Sequence, residues 1–321
     1  MQQTSADYGV FSCITSNYPG RLFHRGFRNG PFASLRRLLA GAALIAATGS
    51  ALAQPLQLQV YNPGDKAVFP VTSSLILGEH DALLVDAQFS SHEADELVRR
   101  IQASGKRLTT IFISHGDPDF YFGLDTLLRA FPEAKVLATA PTIEHIQATK
   151  DLKLAYWGPI LKDGAPKALV VPKLLEGDSL ELEGQRIQVI GLDSADPAHT
   201  SLWVPSLHTQ LGGVLVSGNM HVWTADSQSA ESRRNWVAAL DRIEAQKPEQ
   251  VIPGHYLGER AAGLDDLRFT RDYLKALEQE LPKAKDAAAL IAAMKKRYPG
   301  LAGEADLELS AKVLKGEMQW P

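Results

Sequence analysis

Between residues 114 and 123 the chain reads Ser-His-Gly-Asp-Pro-Asp-Phe-Tyr-Phe-Gly, which sets one imidazole and two carboxylates at alternate positions, His115, Asp117 and Asp119. The apolar, β-branched run Thr-Thr-Ile-Phe-Ile at 109–113 precedes it and predicts a buried strand. Donors alternating just past a strand can converge on one pocket, and imidazole with carboxylate is a ligand set for a divalent ion. Two further imidazoles follow strand-like runs, His199 in Asp-Pro-Ala-His-Thr and His255 in Val-Ile-Pro-Gly-His. A bound ion would lower the pKa of its water to about 7. His221, Trp223 and Trp157 are candidates for substrate contact, although an interior His bonded beside an aromatic fits His221 equally well. His80, His92, His145 and His208 stand alone in turn or helix contexts and read as surface residues.

The surrounding pattern shows what would position these groups. Alternation predicts strands at 56–60, 68–77 and 82–86, the last ending in Asp86, whose carboxylate reads as structural. Ser90 with Glu93 forms a capping box, and Leu97, Val98 and Ile101 then recur at helical spacing. A helix through Leu124, Leu127, Leu128 and Phe131 and a strand at 135–139 continue the alternation. Between 140 and 167 the sequence predicts a helix and then an irregular stretch from Tyr156-Trp-Gly-Pro onward, readable as a lid or as an ordinary packed loop. Strands follow at 169–174, 179–182, 185–191, 202–205 and 211–217, then an amphipathic helix at 227–246 and a short strand into His255. Two β-rich halves, each followed by helices, predict an α/β (α+β) protein built as a four-layer αββα sandwich. The C-terminal part is helical, with Phe269, Tyr273, Leu277 and Leu281 on one stripe and Leu290, Met294 and Tyr298 on another.

Residues 34–53 carry Arg36 and Arg37, a short apolar core and an Ala-Leu-Ala end, the pattern of a cleaved secretory signal. The expected domains are therefore 1–53, signal peptide and upstream extension, and 54–321, one domain with a C-terminal helical part; the expected location is periplasmic or secreted. Without 1–53 the chain has 28 basic and 36 acidic residues, and its net charge moves from −4 to −8. An acidic chain with no basic run argues against nucleic acid, and nothing past the signal predicts stable membrane insertion. A small-molecule substrate and a homo-oligomer are the partners expected. The only cysteine, Cys13, falls in the leader, so the remainder has neither disulfide nor thiolate ligand.

The 114–123 run resembles the His-x-His-x-Asp-His loop of the metallo-β-lactamase-fold hydrolases, with His115, Asp117, Asp119 and Phe120 at the four ligand positions. His199, the Pro-Gly-His ending at His255, the strand ending in Asp86, Trp203-Val-Pro and His221-Val-Trp extend the resemblance over nearly all of 54–321. It implies a first site of His115, Asp117 and His199, and a second of Asp119 and His255; with the second site lost, Asp119 could orient or deprotonate a water on the first ion, and His255 could hold that water or the leaving group. The set is degenerate: Phe120 offers no donor, and either Val214 or Asn219 stands where the family bridges its two ions with Asp. The resemblance thus implies one divalent metal, Zn or alternatively Fe or Mn, and hydrolysis of an ester, lactone, amide or similar bond. Two alternatives accompany it, a catalytically silent small-ligand-binding protein that has lost its metal and a mononuclear Fe-dependent oxygenase-type enzyme.

Overall fold

Strands β2 (Ser73–Leu77), β3 (Asp81–Val85) and β4 (Arg107–Ile113) are apolar on both faces, so their sheet has to be covered on both sides. The computed structural model, which describes residues 54–320, shows how. Leu75, Leu84, Ile111 and Ile113 face a core closed by helices, while Ile76, Leu83, Val85 and Phe112, one residue out of step, face a second sheet. The expected signal and extension at 1–53 lie outside the described residues. No helix among the described residues is long and apolar enough to cross a membrane.

The first sheet has six strands in the order β1-β2-β3-β4-β5-β6, with β1 at Gln57–Tyr61, β5 at Lys135–Ala138 and β6 at Lys173–Leu174. Its first two pairings are antiparallel and the rest parallel. Helices α1 (Ser91–Ser104), α3 (Leu124–Ala130) and α4 (Ala140–Leu161) make the parallel crossovers, with the single turn α2 (Pro118–Tyr121) after β4. The second sheet runs β12-β10-β9-β8-β7, from β7 (Ser179–Leu182), β8 (Gln185–Ile190), β9 (Ser201–Val204), β10 (Thr209–Leu211) and β12 (Gln250–Val251). Helices α5 (Ala230–Ala245), α6 (Asp265–Glu280), α7 (Ala287–Arg297) and α8 (Glu304–Leu314) build a third core with Leu215, Val216 and Val251. The αββα order expected from the sequence is the order found.

Three expectations are corrected by the structure. The strand expected at 211–217 breaks into β10 and a two-residue β11 (Ser217–Gly218), because Gly212 and Gly213 adopt φ of 74° and 75°. The strand expected at 68–77 begins only at Ser73, and Val71 contributes a lone bridge to His255. The irregular stretch expected from Tyr156 is the last part of α4, which passes through Gly158 and Pro159 before ending at Leu161. Trp157 packs edge-on against Phe69 at 5.1 Å and Phe89 at 5.4 Å, tertiary contacts that outweigh the local helix breakers.

Gly123 shows how tightly the site end of the first sheet is packed. A Cβ there would lie 2.0 Å from the Ala87 carbonyl oxygen and 2.8 Å from the Ala94 side chain. Gly123→Ala should therefore cost about 3 kcal/mol or more in urea unfolding. Gly105→Ala, at the left-handed end of α1 with nothing within 4 Å, should cost only about 1 kcal/mol.

Candidate functional site

The site begins with a buried carboxylate at the end of β3. Asp86 has a φ of 66° and accepts from the Ser114 backbone N–H at 2.8 Å and the Ser114 hydroxyl at 2.6 Å. The same hydroxyl accepts from Gly213 N–H at 2.7 Å, so one carboxylate ties β3, the end of β4 and the turn after β10. Burial pushes the Asp86 carboxyl up to about 7, against its hydrogen bonds from Ser114.

Past Ser114 the chain turns at Asp117 into α2, with Pro118 presetting the first helical φ. Asp119 and Phe120 therefore sit on a helical turn, where the sequence alone suggests a loop. Ala87 N–H donates to the Phe120 carbonyl at 2.7 Å and Gly123 N–H to that of Gln88 at 3.0 Å, clamping this turn to the segment after β3.

The five expected ligand positions form two groups joined by an aromatic ring. His115 Nε2 is 3.2 Å from Asp117 Oδ2, and the His115 and His199 rings lie 5.2 Å apart. His199 Nδ1 is held by Asp196 at 2.7 Å, which leaves its Nε2 as the nitrogen that could meet a ligand. His255, on β13 (His255–Tyr256), bonds through Nε2 to Asp119 Oδ2 at 2.7 Å. Phe120, 1 % exposed, meets His115 edge-on at 5.3 Å and His255 at 5.4 Å. Burial would lower the His255 pKa, but the hydrogen bond and charge of Asp119 raise it above the ordinary value.

Asp117 has partners that sequence reading misses. His145 Nε2 lies 3.5 Å and Lys153 Nζ 3.6 Å from its Oδ1. Burial alone would raise the Asp117 carboxyl, yet hydrogen bonds from His115 and His145 and the charges of His115 and Lys153 hold it well below the usual range. His145, expected as a lone surface residue, is exposed as expected but does not stand alone, since it reaches Asp117 at the edge of the site. Its eight-residue separation from Lys153, two helical turns on α4, is the signal that could have found both.

A cavity of about 60 Å³ opens on this arrangement, lined by Asp117, Asp119, Phe120 and His255 and walled by Phe69, Trp157, Trp223 and Trp320. Trp157 and Trp223, expected to contact substrate, are on its wall. His221 is not: it is buried, its Nδ1 2.9 Å from the Tyr273 hydroxyl, and burial lowers its pKa. Of the two candidates for the bridging position, Val214 lines the cavity. Asn219 is exposed and donates to the Leu257 carbonyl at 2.9 Å. Asp226 and Asp306 also line the cavity; burial raises both carboxyls, Asp306 to about 6.

The sequence model of the metallo-beta-lactamase superfamily matches residues 67–255, and the chain belongs to that superfamily. The chain is 28% identical over 227 residues to the uncharacterized protein YobT of Bacillus subtilis (strain 168), an alignment spanning 68% of this chain and 92% of that one. Among solved structures it is similar to a metallo-beta-lactamase from Pontibacter korlensis, at 16% identity and a TM-score of 0.50 over 70% of this chain and 96% of that one. It is also similar to FIM-1 from Pseudomonas aeruginosa in its mono-zinc form, at 15% identity and a TM-score of 0.50 over 70% of this chain and 93% of that one. At such identities the structures establish the fold alone. Membership suggests a metal-dependent, hydrolase-type function, and the superfamily usually binds divalent metals, often zinc.

The residues present fit one ion in kind and not two. Two imidazoles and a carboxylate, with Asp196 orienting His199 from behind, are a proper donor set for an ion with an open position. His115 Nδ1 is buried without a hydrogen-bond partner, while Nε2 of the same ring is engaged with Asp117. As they stand, no three His, Cys, Asp or Glu side chains among the described residues are arranged to hold an ion, and Asp117 is turned to Lys153 and His145. Around Asp119 and His255 the neighbours are Phe120 and Val214, neither of them a donor.

Asp86 yields a pH prediction. Its folded value of about 7 exceeds its ordinary 3.8, so the native state holds the proton longer than the unfolded chain does. Its contribution to stability is complete below about pH 4 and is lost as pH rises through about 7. Urea unfolding across that window should show wild type losing stability relative to Asp86→Asn. Parallel curves would mean that the Asp86 carboxyl does not titrate there.

Proposed function

We propose that the protein is an exported hydrolase acting on a small organic molecule with an ester, lactone, amide or similar bond, and that it uses one divalent ion, Zn in the first instance. The observation that carries this reading is the His115, Asp117 and His199 group, with Asp196 behind His199 and Asp117 shared with the cavity wall. The ion, when bound, would supply Lewis acidity at those three side chains. The remaining work belongs to the chain. Asp119 Oδ2 fixes His255 through Nε2, setting a carboxylate and an imidazole side by side at the cavity wall, where they can orient a substrate and hold a proton at Nε2. Phe69, Trp157, Trp223 and Trp320 exclude water and offer an apolar surface to the rest of the substrate.

A second reading, a binding protein without catalysis, is favoured by one observation. Asp117 already has His145 and the Lys153 ammonium as partners, and an ion would have to displace them. Loading the protein with Zn, followed by elemental mass spectrometry and a panel of ester and lactone substrates, separates the two. The hydrolase reading expects one ion per chain, turnover that chelator abolishes, and loss of both in His199→Ala. No retained ion and no turnover would leave the binding reading.

A further inference from the structure

The cavity carries more negative charge than its own cations answer. Of its four carboxylates, Asp119 is paired with His255 and Asp117 with Lys153. Among the described residues, Asp226 and Asp306 form no salt bridge, with no Lys, Arg or His side-chain nitrogen within 4.0 Å. Asp226 instead accepts from two indoles, Nε1 of Trp223 and Nε1 of Trp320, the latter at 2.7 Å. Both indoles thus spend their only polar atom on one carboxylate, and their rings cross at 71° with centroids 5.3 Å apart. Phe69 stands edge-on to Trp223 at 6.5 Å. The molecule's own side chains show what such a place accepts: Lys153 Nζ, with its side chain only 13 % exposed, lies 5.4 Å from the centroid of the Trp320 ring.

We propose that the cavity selects an organic cation, a small molecule whose ammonium head sits among Trp223, Trp320 and the carboxylate of Asp226. Ring faces and an uncompensated carboxylate both attract such a head, and a quaternary ammonium makes no demand for hydrogen-bond acceptors that the rings lack. An anionic ligand would meet four carboxylates at once. A neutral ligand of the same shape would gain the apolar contact without the attraction of Asp226, which is exposed to solvent and forms no salt bridge.

This inference rests on the reading of the cavity as a small-molecule site, and the test keeps the two apart. The full chain would be titrated calorimetrically with choline and with 3,3-dimethylbutan-1-ol, its neutral counterpart of matching shape. Choline is expected to bind at least about ten-fold more tightly, which corresponds to about 1.4 kcal/mol. Asp226→Asn and Trp320→Leu should each remove most of that preference while leaving the alcohol's affinity within about two-fold. Equal binding of the two probes, no binding of choline, or a preference untouched by both variants would overturn the inference. Should choline fail while an ester or lactone is hydrolysed, the small-molecule site stands and the cation selectivity falls; should nothing bind and nothing be turned over, both fall.

Discussion

The whole pocket depends on one helical turn being held against the end of β3. The Ala87 N–H bond to the Phe120 carbonyl and the Asp86 bonds to Ser114 fix the two ends of the 114–120 segment. Asp86 and Gln88 both adopt left-handed backbone, with φ of 66° and 72°, a strain that the surrounding hydrogen bonds and packing have to sustain. With the turn so placed, the Phe120 ring has nowhere to lie except against His115 and His255, and it is buried there. A hydrocarbon ring therefore occupies ground that in a two-ion centre a ligand would hold. The consequence is electrostatic as much as steric, because a second cation beside Val214 would lack an anion to share with the first.

The same turn sorts the carboxylates. Asp117 faces α4 and takes His145 and Lys153 as partners, whereas Asp119, two residues on, faces β13 and takes His255. Charge in the pocket is thus settled in pairs by side chains, with Asp226 and Asp306 left over and pushed toward protonation by burial. Lys153 makes the contrast with a metal centre plain. Its ammonium already supplies Asp117 with a positive charge, and an ion entering beside His115 has to compete with it.

The layered fold was legible in the sequence because β2, β3 and β4 are apolar on both faces and each strand run ends in turn residues. His115, Asp117, Asp119, His199 and His255 were legible for a related reason: each follows such a run. Elements set by tertiary contact were not. Gly158 and Pro159 read as helix breakers, yet Trp157 packs on Phe69 and Phe89 and keeps α4 helical to Leu161. With the end of that helix hidden, the shared face of His145 and Lys153 was hidden as well. The bond between Asp226 and Trp320 spans 94 residues, and no local pattern announces it. His221 beside Trp223 read equally as a pocket residue and as an interior histidine, and the interior reading is the one found: the two side chains diverge, one to Tyr273 and the other to Asp226.

The proposed function requires that Phe120 limit the pocket to a single ion, held by the group on its His115 side. Anomalous diffraction at the zinc edge from crystals grown with excess zinc tests it directly. One peak within coordinating distance of His115 and His199, with none beside Asp119 and His255, is the predicted result. A second peak of comparable occupancy between Asp119 and His255, with Phe120 turned aside to admit it, would contradict the account.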